Sequence, residues 1–391
     1  MKIGVDATCW ENKRGFGRFT RELLDALLTL DDVNEYLFFV DGDSNGHPLP
    51  ARAKAVKVNT GTAAIEAAAA GGRRSLKDLW SMSRTVAKHD VDVFFFPAVY
   101  SYFPIMNRTK IVVTLHDVIA DHHPDLIFPD KKSKYLWKLK QFAAMKQASL
   151  IATVSDYSKR EIIDYFNVRE SRLRVISEAA RPVFRSLRPD SKTNEALERN
   201  RLSPTDKFLL YVGGISPHKN LAALIDAFAA INGKPEAADI KLVLVGDYKD
   251  DPFFSAYPSL KLQVEKLGLE GRVLFAGFVP DDDLAYLYNA ATLVVLPSFE
   301  EGFGLPAIEA MACGAPVAAS NCGSLPEVLG DAGRYFDPHD SADVARVLGE
   351  LLVQKETRTA MSDTGLCRSQ NFTWRKAAID TLKIFDELAG S

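Results

Sequence analysis

Glu301 and Glu309 frame the segment EEGFGLPAIEA at 300–310, with seven residues between them. That spacing spans a Gly-Phe-Gly-Leu-Pro turn and a helix start, since Pro306 suits a first turn and Gly314 a C-terminal stop. The N–H groups of Gly302, Phe303, Gly304 and Leu305 then lie at or ahead of a helix N-terminus, where unpaired donors attract an anion such as a diphosphate. Glu309 falls about one turn beyond Pro306, too near that anion to be a good phosphate ligand but able to accept hydrogen bonds from the vicinal hydroxyls of a ribose. Glu301, on the far side of the turn, can do the same for another sugar. Either glutamate alone reads as a charge on a helix face. Acid, glycine turn, helix start and acid in that order describe a nucleotide sugar.

A cation for the diphosphate is available in SPHKN at 216–220, after the apolar run FLLYVGG. Gly213 and Gly214 allow a sharp turn, and Lys219 stands at a strand–helix junction led by Asn220. An exposed surface lysine is the plain alternative. Two other motifs fail. RGFGRF carries Gly15 and Gly17, but Thr20 occupies the third glycine position of a dinucleotide fingerprint, and the loop from the preceding strand is too long for it. A glycine loop closing over a ligand is the better reading. DGDSNG at 41–46 begins like a calcium loop, but Arg52 stands where the bidentate acid belongs, so a solvated turn is expected.

Short apolar runs at 2–7, 36–41, 92–96, 110–115 and 149–154 alternate with helical patterns such as 17–30. A polar connection follows at 191–206, and a second series begins with 208–213, 240–246, 272–276, 292–297 and 315–319. Strands buried on both faces and separated by helices make parallel sheets. The α/β chain is therefore expected to hold two doubly wound domains, with ligands at the carboxyl ends of their strands in a central cleft. With 391 residues, 47% of them hydrophobic and a formal net charge of −3, the chain has no basic excess that would favour nucleic acid. No apolar run approaches a spanning helix, no signal peptide is seen, and the four cysteines lack zinc spacing, so a cytoplasmic protein with reduced thiols is expected.

Glu301-x7-Glu309 resembles the Glu motif of family-4 retaining glycosyltransferases of the GT-B fold (group 1 glycosyltransferases). The resemblance extends along the chain through GFGRFTRELLDAL, VVTLHDV, ATVSDYSKREI at 152–162, VGGISPHKN, GSLPEVLGDAGRYFDPHD at 323–340 and FTW at 372–374. It implies two Rossmann-like domains facing a cleft: an acceptor domain at 1–187, a nucleotide-sugar domain at 188–370, and a helix at 371–391 crossing back to the first. By the same resemblance Glu309 binds the donor ribose and Glu301 the transferred sugar. Backbone groups of Gly302, Phe303 and Gly304 meet sugar hydroxyls, and the Leu305 region with Lys219 neutralises the diphosphate. His116 lies near the reacting sugar, with Asp117 a weaker candidate. Gly15 and Gly17 lie beneath phosphates and acceptor, and backbone at Phe278 and Val279 meets the base. One departure is Gly214, where many members carry a second phosphate-binding Arg; Arg181 or His218 could substitute.

His116, Lys219 and Glu301 are thus the expected catalytic residues, with no metal and no cofactor beyond the donor. GDP-mannose is the preferred donor by resemblance to bacterial mannosyltransferases with a similar PxKN loop, and UDP- and dTDP-sugars stay open. The acceptor, a saccharide or lipid-linked saccharide, should meet the first domain. There FFFPAVYSYFPIMNR at 94–108 offers loop aromatics, and the basic stretch 130–146 could lie on the anionic inner face of the cell membrane or pack its aromatics on the core. The competing readings are a catalytically idle nucleotide-sugar-binding protein and an NAD(P)-dependent Rossmann oxidoreductase.

Overall fold

The computed structural model describes residues 1–390 apart from 13, 42–46, 59, 62–74, 129 and 249–254. Most of the DGDSNG turn and the Ala-rich stretch at 63–70 therefore lie outside the described residues. The chain divides into two compact units, Met1–Glu178 with Thr373–Ser391, and Ala179–Phe372.

The first unit is built on a parallel sheet of β1 (Lys2–Asp6), β2 (Glu35–Asp41), β3 (Lys54–Val58), β4 (Val93–Phe96), β5 (Lys110–Thr114), β6 (Leu150–Thr153) and β7 (Leu173–Val175), in the order β3-β2-β1-β4-β5-β6-β7. The run of phenylalanines in β4 shows why such strands read as continuous apolar segments. Phe94 and Phe96 pack on Phe103 at 5.7 and 5.1 Å, on the face covered by the helices Leu76–Ala87 and Lys131–Gln147. Phe95 points to the other face and meets Phe385 of the helix Trp374–Ala389 at 5.6 Å. That last helix, capped by Thr373, also sets Trp374 against Phe19 of the helix Gly15–Leu30. The C-terminal segment is therefore part of the first unit.

The second unit carries β8 (Lys207–Val212), β9 (Ile240–Val245), β10 (Val273–Gly277), β11 (Leu293–Leu296), β12 (Val317–Ser320) and β13 (Gly333–Phe336) in the order β10-β9-β8-β11-β12-β13. In each sheet the strand order reverses beside the first strand, between β1 and β4 and between β8 and β11. Crevices for ligands form at such reversals, outside the carboxyl ends of the strands.

Four features differ from the sequence expectations. The polar connection at 191–206 contains a helix, Ser191–Arg199, fixed by a capping box at Asp190 and Thr193 while burying only Thr193, Ala196 and Leu197. A stripe that narrow gives little apolar periodicity. Strands β3, β7 and β13 escaped the sequence reading because they are sheet edges, short or half-exposed, without a continuous apolar run. The loop aromatics Tyr102 and Phe103 do not serve a ligand surface. They are buried among Phe94, Phe96 and Trp137, filling the space beyond β4. Residues 179–187 belong to the second unit through Arg181–Asp281, Phe184–Tyr288 and Leu187–Asn289 contacts. The four cysteines are free, and no described helix is long and apolar enough to cross a membrane.

Candidate active site

In the second unit the chain leaves β8 through Gly213 and Gly214 and makes a single turn, Pro217–Lys219. Asn220, left-handed at φ 56°, then opens the helix Leu221–Asn232. Its side-chain amide donates to the carbonyls of Pro297 (3.1 Å) and Pro338 (2.7 Å), tying the loop after β8 to the loop after β11. Phe299 N–H donates to the His218 carbonyl at 3.1 Å and strengthens the same tie. Two loops at the strand-order reversal are thereby held in register, and Lys219 meets Glu301. The ammonium donates to both carboxylate oxygens, at 2.7 and 2.8 Å, and the Ser298 hydroxyl donates to one of them at 2.7 Å. Each charged side chain retains 17% exposure, so the pair is sheltered but open to a ligand. Behind it, Ser324 fixes the Glu301 backbone carbonyl through its N–H (3.1 Å) and hydroxyl (3.0 Å).

Next to this pair the helix Leu305–Ala312 begins without a side-chain cap. Gly304 precedes it at φ 95°, a left-handed conformation, and a Cβ there would come within 2.9 Å of Leu325. First-turn donors without a side-chain partner are the expected setting for an anion. Phe303, buried edge-on to Phe372 at 5.7 Å, anchors the turn, and Gly302 and Leu305 are also buried. Glu309 lies on the inward face of the helix, 1% exposed, where the Tyr288 hydroxyl donates to it at 3.0 Å. The structure therefore separates the two acids that spacing made equivalent: Glu301 faces outward with Lys219, and Glu309 is buried with Tyr288. Burial, and then the Glu309 charge, pushes the Cys313 thiol up to about 12, which removes it as a nucleophile.

Phe278 is well exposed just past the end of β10, and Val279 is buried behind it. Gly214 has no left-handed conformation, and a Cβ there would sit 3.4 Å from Ser216 Oγ, an ordinary contact. The backbone does not demand glycine at that position. Of the proposed substitutes, Arg181 pairs with Asp281 at 2.6 Å, and His218 lies in the Lys219 turn.

Gly15, Gly17 and His116 belong to the first unit. Gly15 opens its first helix, and a Cβ on Gly17 would fall 2.1 Å from the Asn12 carbonyl oxygen, so the close approach of loop to helix admits only glycine. Phe16 between them stacks on Tyr100 at 4.9 Å. His116 follows β5, edge-on to Phe19. One ring nitrogen lies 3.0 Å from the Pro97 carbonyl and the other 3.4 Å from the Glu178 carboxylate. Asp117 accepts from the Ile119 N–H at 3.0 Å and so shapes the loop. Sequence reasoning missed Glu178, Ser298 and Tyr288, whose importance shows only in which side chains they touch.

Burial disfavours a charged His116 ring, but the Glu178 hydrogen bond and charge, then the Pro97 carbonyl and Asp117, outweigh it and raise its pKa above the ordinary 6.5. The folded state therefore holds this proton more tightly than the unfolded one. The resulting stability is fully present below the unfolded pKa and is lost as pH rises through the folded one. An NMR titration of the ring should place the His116 midpoint above 6.5 and return it downward in Glu178→Gln; a midpoint at or below 6.5 in the parent protein contradicts the pairing.

Comparison with known proteins matches residues 14–180 to the "Glycosyltransferase Family 4" model and residues 192–366 to "Glycosyl transferases group 1". O-antigen chain mannosyltransferase B of Escherichia coli is 34% identical over 278 residues, covering 71% of this chain and 70% of that protein. The chain belongs to the group 1 glycosyltransferases. The serotype-specific mannosyltransferase WbdA of Escherichia coli is 32% identical over 285 residues, which span 72% of this chain but only 34% of WbdA. The fold is GT-B: sucrose-phosphate synthase from Thermosynechococcus elongatus superposes with a TM-score of 0.77 at 20% identity, covering 100% of each chain. As a glycosyltransferase, the chain transfers a sugar from a donor to an acceptor.

Proposed function

We propose that this glycosyltransferase moves mannose from GDP-mannose to a saccharide or lipid-linked saccharide hydroxyl, with retention of anomeric configuration and without a metal ion. The observation that carries the reading is the Lys219–Glu301 pair beside an uncapped helix start at the β8/β11 reversal. A nucleotide sugar offers each member a new partner: its diphosphate takes Lys219 and the helix N–H groups, and a hydroxyl of the transferred sugar takes Glu301. The mannose assignment follows the two relatives, each named a mannosyltransferase.

In the reaction the bond from the anomeric carbon to the β-phosphate oxygen breaks, and negative charge grows on the phosphate. Lys219 and the helix start stabilise it from fixed positions. The acceptor oxygen forms the new glycosidic bond on the same face, and its proton passes to the departing phosphate. Glu301 and Glu309 do not form the nucleophile–acid pair of a retaining hydrolase, because one is ion-paired and the other is buried. In the second unit Glu309 serves the ribose side of the site, and backbone at Phe278 and Val279 meets the base.

Lys219 and the helix-start N–H groups are the proposed partners of the diphosphate charge, so the reading invokes no metal. EDTA treatment should therefore leave turnover unchanged, and a loss restored by added divalent ion would contradict the proposal. The donor and the reaction are tested together by release of nucleoside diphosphate from a panel of nucleotide sugars with pooled acceptors. GDP-mannose should turn over fastest. Binding without turnover would instead indicate an idle binding protein, and a thermal shift with NAD(P)H alone would indicate an oxidoreductase.

A further inference from the structure

We infer that the first unit carries a docking face for an anionic lipid surface, formed jointly by the helices Leu76–Ala87 and Lys131–Gln147. Both helices cover the same side of the sheet, and both are pinned to one loop between them. Ser83 donates to the Pro104 carbonyl, while the Gln147 amide donates to the Ile105 carbonyl at 2.6 Å and its oxygen accepts from the Ile105 N–H at 2.9 Å. Leu76 and Trp80 on one helix, Tyr135, Leu139 and Phe142 on the other, and Met106 in the loop are each between 52% and 85% exposed. Tyr135, Leu139 and Phe142 fall at i, i+4 and i+7, one outward stripe, while Trp137 and Met145 turn to the core. The sequence expectation for this helix thus divides: some of its large apolar groups pack inward and the rest face solvent.

The exposed charges carried by the described residues of the two helices are basic, apart from the N-cap Asp130. Lys131, Lys132, Lys138 and Lys146 are exposed on the second helix, which contains no acid, and Arg84 is exposed on the first. Arg84 lies 4.9 Å over the Trp80 ring and Lys146 lies 5.8 Å over Phe142. The two acids at these helices are committed locally: Asp78 is buried and accepts from Gly61 N–H, and Asp130 caps the second helix through Ser133. Large apolar groups interleaved with basic ones, with no free carboxylate among the described residues of the two helices, match a bilayer interface with anionic headgroups, into which the rings insert while the ammonium groups reach phosphates. A membrane held at this face would bring the first unit to where lipid-linked acceptors reside. The inference stands apart from the donor assignment, because its test does not use catalysis.

The test is co-sedimentation of the full chain with vesicles of phosphatidylcholine alone or with added phosphatidylglycerol. Binding should require the anionic lipid and weaken as salt rises. A Lys132→Gln/Lys138→Gln/Lys146→Gln variant should lose about 10²-fold in partitioning, since each basic side chain contributes about fivefold. A Trp80→Ser/Phe142→Ser variant should lose binding at all salt concentrations. All these positions are exposed, and circular dichroism would confirm that the variants fold. Absence of binding at low salt, variants that bind like the parent, or lipid-free self-association that both variants abolish would each overturn the inference.

Discussion

Replacing Lys219 with alanine is expected to lower kcat by about 10²-fold or more, equivalent to about 2.7 kcal/mol of transition-state stabilisation. The ammonium is the only protein cation that the structure shows in direct contact with Glu301 among the described residues, and it stands beside an uncapped helix start. Its loss removes charge where the phosphate leaves and strands a sheltered carboxylate beside the Ser298 hydroxyl at 2.7 Å. Donor affinity should fall less than kcat, because charge on the phosphate grows toward the transition state. Single-turnover measurements on the folded variant check this. An unchanged rate would remove Lys219 from the catalytic machinery.

Glu301→Gln should separate binding from transfer. The carboxylate holds Lys219, so a diphosphate that takes the lysine must break that pair, at a cost of about 1 kcal/mol for a partly exposed interaction. Glutamine releases the lysine. A nucleoside diphosphate lacking the sugar should then bind about fivefold tighter. Transfer should nevertheless fall by about 10- to 10²-fold, because a hydrogen bond from a sugar hydroxyl to a charged acceptor is replaced by a neutral one. Calorimetry with GDP, beside steady-state transfer, reads the two effects. Weaker GDP binding in Glu301→Gln would contradict the exchange of partners, and unchanged transfer would contradict the hydroxyl role.

The sequence made the elements at the site legible because their signals are local. Pro306 and Gly314 bound a helix, Gly213 and Gly214 mark a turn, and runs such as FLLYV and TLVVL read as strands buried on both faces. The strand-order reversal that places the Lys219 loop beside the Glu301 loop is not local. It depends on β11 pairing with β8, across roughly eighty residues, which no periodicity reports. For the same reason the sequence does not show the Lys219–Glu301 pair, although it marks each residue by itself. Glu309 shows the converse: spacing placed it correctly on the helix, but which face is buried was decided by Tyr288 on the neighbouring helix Asp281–Ala290. Glu178 carried no sequence signal, since a lone acid among small residues reads as a surface charge until His116 is found beside it.

Turnover of GDP-mannose by the purified chain, followed as acceptor-dependent release of GDP with the anomeric configuration of the product read by NMR, tests the central claim most directly. The account predicts saturable release with an α-linked product from the α-linked donor, abolished together with glycoside formation in Lys219→Ala. Inverted product, or no turnover of GDP-mannose under conditions where another nucleotide sugar is consumed, would contradict it.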